Sequence, residues 1–322
     1  NSDFLADIGK KMRIFAENNT DFLPMEKSYI STKEYAEAHG LAERTIRNYC
    51  TQGKIPGARR VGKTWSIPTD ASLPQRKNAR NQVSPLLKAL LEQKEAKMKG
   101  GIYHRTQIEL TYNSNHIEGS RLTEEQTRHI FETNTIGITD QAVNVDDIIE
   151  TTNHFRCIDF TIDHAKEPLT ESMVKQLHGI LKNGTTDASR PWFAVGDYKR
   201  LPNEVGGIET TPPEKVGKAM RELLGEYKSI KEVTLDDILD FHQRLETIHP
   251  FQDGNGRVGR LVMFKECLRH DIVPFIITDD LKMFYYRGLR QWPHIKGYLT
   301  DTCLTAQDHY KALLDYFKIK YS

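Results

Sequence analysis

The chain has 322 residues, 38% of them hydrophobic and 28% charged, which excludes a disordered polymer and is long enough for two domains, possibly a third. Lys and Arg number 45 against 44 Asp and Glu, so a general polycation and an acidic tail are both excluded, although a local basic patch is not. The apolar run Ile272–Ile277 is interrupted by Pro274 and falls far short of the roughly 20 residues that a spanning helix needs, so no membrane segment is expected. No cationic leader with an apolar stretch opens the chain, and Cys50, Cys157, Cys267 and Cys303 are scattered without a C-x-x-C pair. These features predict reduced thiols in a cytoplasmic protein.

Residues 1–27 read as an N-terminal extension. The first regular unit is expected over 28–73. Ser31 and Glu34 have capping-box spacing, so a short helix carrying Tyr35, Ala36 and Ala38 is predicted, closed by Gly40. A second short helix is expected from Ala42 to Thr51, followed by a hairpin of Ala58–Val61 and Thr64–Ile67 around Gly62-Lys63. Between Arg44 and Lys63 the chain carries six basic residues and no acidic one. The pattern suits a winged helix-turn-helix on double-stranded DNA. Arg44, Thr45, Arg47 and Asn48 would enter the major groove, and Arg59, Arg60 and Lys63 would contact phosphates from the wing. A solvated basic face on a protein-docking module is the competing reading. The stretch STKEYAEAHGLAERTIRNYCTQGKIPGARRVGKTWSIP resembles the excisionase/MerR-type helix-turn-helix through the wing residue Trp65.

A polar, basic linker is expected over 74–84. Beyond it, periodicity predicts helices at Leu86–Lys99, Tyr103–Glu118, Thr123–Asn134, Asp146–His164, Glu171–Asn183, Pro213–Ser229, Thr234–Ile248, Gly256–His270, Asp279–Trp292 and Thr302–Phe317. Thr123 with Gln126 forms a second capping box. Asp197–Glu209 lacks helical periodicity and holds Gly206-Gly207 before Pro212-Pro213, which reads as a β-hairpin on a helical body.

The chemical centre is HPFQDGNGRVGR, residues 249–260. Pro250 ends the preceding helix, and Gly254 and Gly256 permit a tight turn with exposed amides. An amphipathic helix then begins, with Leu261, Val262, Phe264 and Leu268 on its apolar face. A glycine loop at a helix start is an anion site. Arg257 and Arg260, three residues apart, add two guanidinium forks. Asp253 is a hard oxygen ligand placed for Mg2+ beside phosphates, and His249 is suited to taking a proton near neutral pH. The set fits attack of a hydroxyl on a polyphosphate.

The string matches the Fic motif H-P-F-x-[D/E]-G-N-G-R-x-x-R at every defined position, and residues 85–322 resemble Fic (Fido) proteins. The expected fold is therefore mainly α: a Fic-type helical core with a β-hairpin flap, beside the small N-terminal winged helix-turn-helix domain. The resemblance implies AMP transfer from ATP to a Ser, Thr or Tyr hydroxyl of a target protein or of the chain itself. By position, His249 would be the base, Asp253 the Mg2+ ligand and Gly254, Asn255 and Gly256 the anion hole. Arg257 would face the α- and β-phosphates, and Arg260 the γ-phosphate. The phosphorylating Doc branch carries Lys where this chain has Gly256, so adenylyl transfer is favoured. Segment 196–216 resembles the flap on which targets dock. The family often has Arg where this chain has Lys199. Tyr285 and Tyr286 resemble the adenine-side segment.

Upstream, SNHIEG at 114–119 matches the inhibitory motif [S/T]-x-x-x-E-[G/N], with Ser114 and Glu118 at its defined positions and a helix expected over about 103–119. Pairing of Glu118 with Arg260 would displace the γ-phosphate, the class II arrangement of the family. Two other readings stay open. One is a DNA-binding transcriptional regulator with a nucleotide-sensing Fic domain, against which the intact His249 counts. The other is a hydrolase that removes AMP using Glu118.

Overall fold

The computed structural model describes residues 28–41, 43–51, 53–62, 64–73, 83–137 and 142–321. The expected extension 1–27, most of the expected linker, Ala42 and Lys63 lie outside the described residues. The chain divides into two compact units, Asn1–Gln82 and Val83–Ser322.

In the first unit, β1 (Tyr29–Ser31) leads into α1 (Thr32–Ala38), α2 (Glu43–Thr51), β2 (Arg59–Val61) and β3 (Thr64–Pro68). Ser31 and Glu34 form the capping box: Ser31 Oγ accepts from the Glu34 amide while the Glu34 carboxylate accepts from the Ser31 amide. Gly40 turns the chain at φ +64° between the two helices. Tyr35, Ala36, Ile46, Cys50, Ile55 and Ile67 form the core of the unit, with Leu41 and Trp65 packed against it. The hairpin gains a third strand that the sequence reading lacked. β1 pairs antiparallel with β3, Ile30 opposite Ile67, in the order β1-β3-β2. A three-residue strand is too short to show alternation.

The second unit is helical. It comprises α3 (Pro85–Glu95), α4 (Ile102–Ile117), α5 (Glu124–Thr133), α6 (Val145–Asp163), α7 (Glu171–Lys182), the hairpin β4 (Glu204–Val205) and β5 (Ile208–Glu209), then α8 (Pro213–Ser229), α9 (Leu235–Ile248), α10 (Asn255–Arg269), α11 (Lys282–Gln291) and α12 (Gly297–Tyr316). Local caps set several starts. Thr123 and Gln126 close the second capping box, and Thr234 forms one with Asp237. The helix expected to reach Lys99 ends four residues earlier, where Lys97 takes φ +48°. Among the described residues no helix is long and apolar enough to cross a membrane.

One expectation is corrected at α10. It was read as amphipathic, yet Asn255 and every residue from Arg257 to Leu268 are buried. The reason is its place in the fold: α10 packs against α4, α6, α7 and α9 together. A central helix must be covered all round. Its charged residues are therefore compensated internally, as Lys265 and Glu266 show, 1% exposed each and paired at 2.7 Å. α11 and α12 cross closely over Gly288, where an added Cβ would lie 2.7 Å from Leu299 Cα and 2.9 Å from its amide nitrogen. Gly288→Ala should therefore force the helices apart and cost about 1–3 kcal/mol, the usual penalty of overpacking. Chemical denaturation checks this, and an unchanged midpoint would contradict the crossing geometry.

Candidate active site

The loop 249–254 joins α9 to α10. His249 is the residue after α9 and adopts the left-handed conformation, φ +51°, with its amide still bonded to the Leu245 carbonyl at 2.8 Å. Pro250 prevents a further turn. The side chain of Asn255 closes the loop: its Oδ1 accepts from the Phe251 amide at 2.8 Å and its Nδ2 donates to the Phe251 carbonyl at 2.9 Å. Asn255 thus serves the loop through its side chain, leaving only its backbone for an anion. Gly254 then caps α10 at φ +81°.

The imidazole of His249 is half-buried, with its Nδ1 turned into the protein. Nε2 is therefore the nitrogen left to a reactant. Burial depresses the pKa of the ring below its ordinary value; the Glu246 carbonyl opposes the fall and the Lys199 ammonium adds to it.

Arg257 and Arg260 are each 4% exposed. Arg260 is held by the segment before Gly119. Its Nη2 donates to Glu118 Oε1 at 2.7 Å and to the Ser114 carbonyl at 2.9 Å, and its Nε to Ser114 Oγ at 3.0 Å. The Glu118 carboxylate lies directly over Gly256, where any Cβ would collide with it. Ser114 and Glu118 are thus brought onto the first turn of α10, where an anionic ligand would sit.

Arg257 belongs to a second cluster. It donates to Glu150 of α6 through Nη1 and to Asp253 Oδ2 through Nη2 at 3.1 Å. Lys182, at the end of α7, donates to Glu150 at 2.5 Å and to Asp253 Oδ2 at 2.7 Å. Burial works to raise the Asp253 pKa, but the Arg257 and Lys182 cations together hold it down at about 2. Asp253 is the exposed corner of the cluster, with 48% of its side chain open.

The flap candidate is the β4–β5 hairpin, turned by Gly206 and Gly207 at φ +57° and +78°. It is anchored to the loop. The Lys199 amide donates to the Pro250 carbonyl at 2.9 Å, and Asn203 Nδ2 to the Phe251 carbonyl at 3.1 Å. Lys199, 3% exposed, braces both ends of the hairpin, donating to Asn203 Oδ1 and Thr210 Oγ1 at 2.6 Å each. Burial lowers its pKa to about 8. Arg200 turns away to the Pro191 carbonyl.

Tyr285 is buried at 1% exposure, with its hydroxyl 2.6 Å from His242 Nε2, so it lies in the core and off any open face. Tyr286 is partly exposed and donates to the Ile117 carbonyl at 3.3 Å, beside Glu118. Sequence reading missed Glu150, Lys182 and Lys199 as site residues, and also Glu246. The last lies one turn before His249, with Oε1 buried and unpartnered. Burial, reinforced by Glu118 and opposed by Arg260, pushes its pKa up to about 8.

Residues 168–267 match the Fic/DOC family. The curated relatives agree. The "Protein adenylyltransferase Fic" of Nematostella vectensis is 27% identical over 187 residues, 57% of this chain and 42% of that protein. That of Drosophila willistoni is 31% identical over 188 residues, 56% of this chain and 35% of that protein. The chain thus spans about two fifths or less of the length of these relatives. Among solved structures, a Fic domain containing signaling protein from Bacteroides thetaiotaomicron is 25% identical with a TM-score of 0.53, covering 71% of this chain and 90% of its own. Fic-1 from C. elegans shares the fold at 17% identity and a TM-score of 0.55, covering 72% of each chain.

If His249 is the base of a Fic reaction, its neutral form is required, and its depressed pKa keeps that form present at lower pH. The rate should then fall only as pH drops below 6.5, the ordinary histidine value. A pH–rate profile checks this, and an acid midpoint at or above 6.5 would count against the buried base.

Proposed function

We propose that the chain is a protein adenylyltransferase that moves AMP from ATP to a Ser, Thr or Tyr hydroxyl, held in check by its own Glu118. The observation that carries this reading is the Arg260–Glu118 pair over Gly256, beside His249. A carboxylate stands where a terminal phosphate would find its guanidinium. The names of the curated relatives support the chemistry.

In this mechanism the triphosphate lies along the α10 start. The amides around Gly254–Gly256 receive the inner phosphates, Arg257 offsets their charge, and Arg260 holds the γ-phosphate once Glu118 has left. An extended segment of the target adds to the β4–β5 hairpin, whose anchoring through Lys199 and Asn203 fixes its register over His249. His249 takes the proton of the acceptor hydroxyl. The hydroxyl oxygen bonds to the α-phosphorus, the α–β bridge breaks, and diphosphate leaves.

A divalent cation such as Mg2+ fits with the substrate's help. Among the described residues no cluster of three His, Cys, Asp or Glu side chains could hold a metal. The half-open carboxylate of Asp253 would hold the ion, with phosphate oxygens and water completing its shell, and it would neutralise charge on the phosphates.

The N-terminal unit supports a separate role. Arg44, Arg47 and Asn48 share a face of α2, and all three are exposed, as are Arg59 and Arg60 on β2. Arg47 is paired to Glu43 at 2.8 Å and Arg59 stacks on Tyr29. We read this unit as a winged helix-turn-helix that docks on double-stranded DNA.

Two outcomes test these readings. Glu118→Gly should raise label transfer from ATP to protein by about ten- to hundredfold, the worth of one charge-assisted hydrogen bond. Adding His249→Ala should remove about 10²–10⁴-fold of that rate. No gain in the single variant removes the inhibitory role; release of AMP from modified protein without transfer favours the hydrolase instead. For the N-terminal unit, log affinity for duplex DNA should fall with log salt at about 0.9 per phosphate contacted. Salt-independent or absent binding favours protein docking.

A further inference from the structure

Glu150, Lys182, Asp253 and Arg257 form a closed ring in which each cation touches both anions. Three of its members come from different elements: Glu150 from α6, Lys182 from α7 and Arg257 from α10. The side chains of Lys182, Arg257 and Glu150 are 3%, 5% and 13% exposed, whereas that of Asp253 is 48% exposed. Stability alone does not explain such a ring. The desolvation of buried charges offsets most of their attraction, and apolar residues of like volume commonly do as well. The open corner is the informative one. The carboxylate assigned above to the divalent ion is already claimed by a lysine.

We propose that Lys182 and the divalent cation compete for Asp253, so that Lys182 sets how much of the ATP affinity depends on metal. The inference rests on the function proposed above and deepens it. Two features make the exchange feasible. When a metal takes Asp253, Lys182 keeps Glu150 at 2.5 Å, Asp187 at 3.6 Å and the face of Phe193 at 5.4 Å. Arg257 likewise keeps Glu150. No buried charge is stranded, so the ring opens at Asp253 alone. In the empty site, Lys182 holds Asp253 in place and offsets its charge. Lys182 is thus a positioning residue acting through Asp253, and Glu150 sets how strongly it leans there.

The test is the ratio of ATP dissociation constants measured with excess chelator and with saturating Mg2+, on the full chain with Glu118→Gly as the parent, so that the proposed restraint does not itself block the site. Lys182→Met removes the competitor and should raise this ratio by about tenfold, the scale of one adjacent opposite charge on a carboxylate. Glu150→Gln leaves Lys182 more dependent on Asp253 and should lower it. The opposite signs matter: a merely structural brace weakens binding equally in both conditions and leaves the ratio untouched. An unchanged ratio in both variants, with the parent ratio above one, overturns the competition while leaving the ATP site standing. Absence of ATP binding by the parent overturns the site and the competition together. Should Lys182→Met fail to fold, the sign of the Glu150→Gln change decides alone.

Discussion

Two buried guanidinium groups on the first turn of α10 govern the rest of this domain. α10 is enclosed by α4, α6, α7 and α9, and Arg257 and Arg260 are each 4% exposed within that enclosure. An uncompensated buried cation would cost several kcal/mol. Each arginine therefore draws an acid from a distant stretch of chain: Glu150 from α6 and Glu118 from the end of α4. Gly119 at φ +99° closes α4 at the point that delivers Glu118. The electrostatic demand of one helix is thus met where two others end or face.

The loop before α10 is shaped by a different constraint. His249 occupies a left-handed conformation that costs a non-glycine residue about 1 kcal/mol or more. The surroundings hold it there. Pro250 blocks further helix, Asn255 clamps both polar atoms of the Phe251 backbone, and the flap residues Lys199 and Asn203 bond the Pro250 and Phe251 carbonyls. The same bonds that fix the histidine fix the hairpin. The hairpin is consequently registered against His249 by the Lys199 amide and the Asn203 side chain. Lys199 carries this linkage at a cost, since its buried ammonium is bonded to the neutral oxygens of Asn203 and Thr210. Burial accordingly lowers its pKa to about 8.

What was legible in the sequence was local. Capping pairs three residues apart, glycine at helix ends and 3.6-residue periodicity marked the helices to within a few residues. The string 249–260 displayed its candidate site because loop, histidine, carboxylate and arginines are contiguous. What was not legible was the company these residues keep. Glu150 and Arg257 are 107 positions apart, and Lys182 and Asp253 are 71 apart. On their own helices, Glu150 reads as one acid on a mixed surface and Lys182 as a lysine that complements a helix C-terminus. The amphipathic reading of α10 failed for the same reason: its charged positions look solvent-facing until their partners arrive from elsewhere in the chain. Tyr285 likewise resembled an adenine-side residue, whereas the structure buries it with its hydroxyl on His242.

The two arginines differ in a way that bears on regulation. Arg257 is compensated from within the body of the domain, by Glu150 of α6 and by Asp253 of the loop itself. Arg260 is compensated by the C-terminal end of α4, through a single carboxylate that is 32% exposed. Ser114 holds the same guanidinium through its hydroxyl and its carbonyl, independently of Glu118. Beneath them Glu246, whose pKa is raised to about 8, holds a proton near neutrality and so offers no competing charge. The Arg257 pairing is therefore the more enclosed of the two and the Arg260 pairing the more open. In the proposed function, a switch at this more open pair would deny the γ-phosphate its partner without dismantling the loop that positions His249.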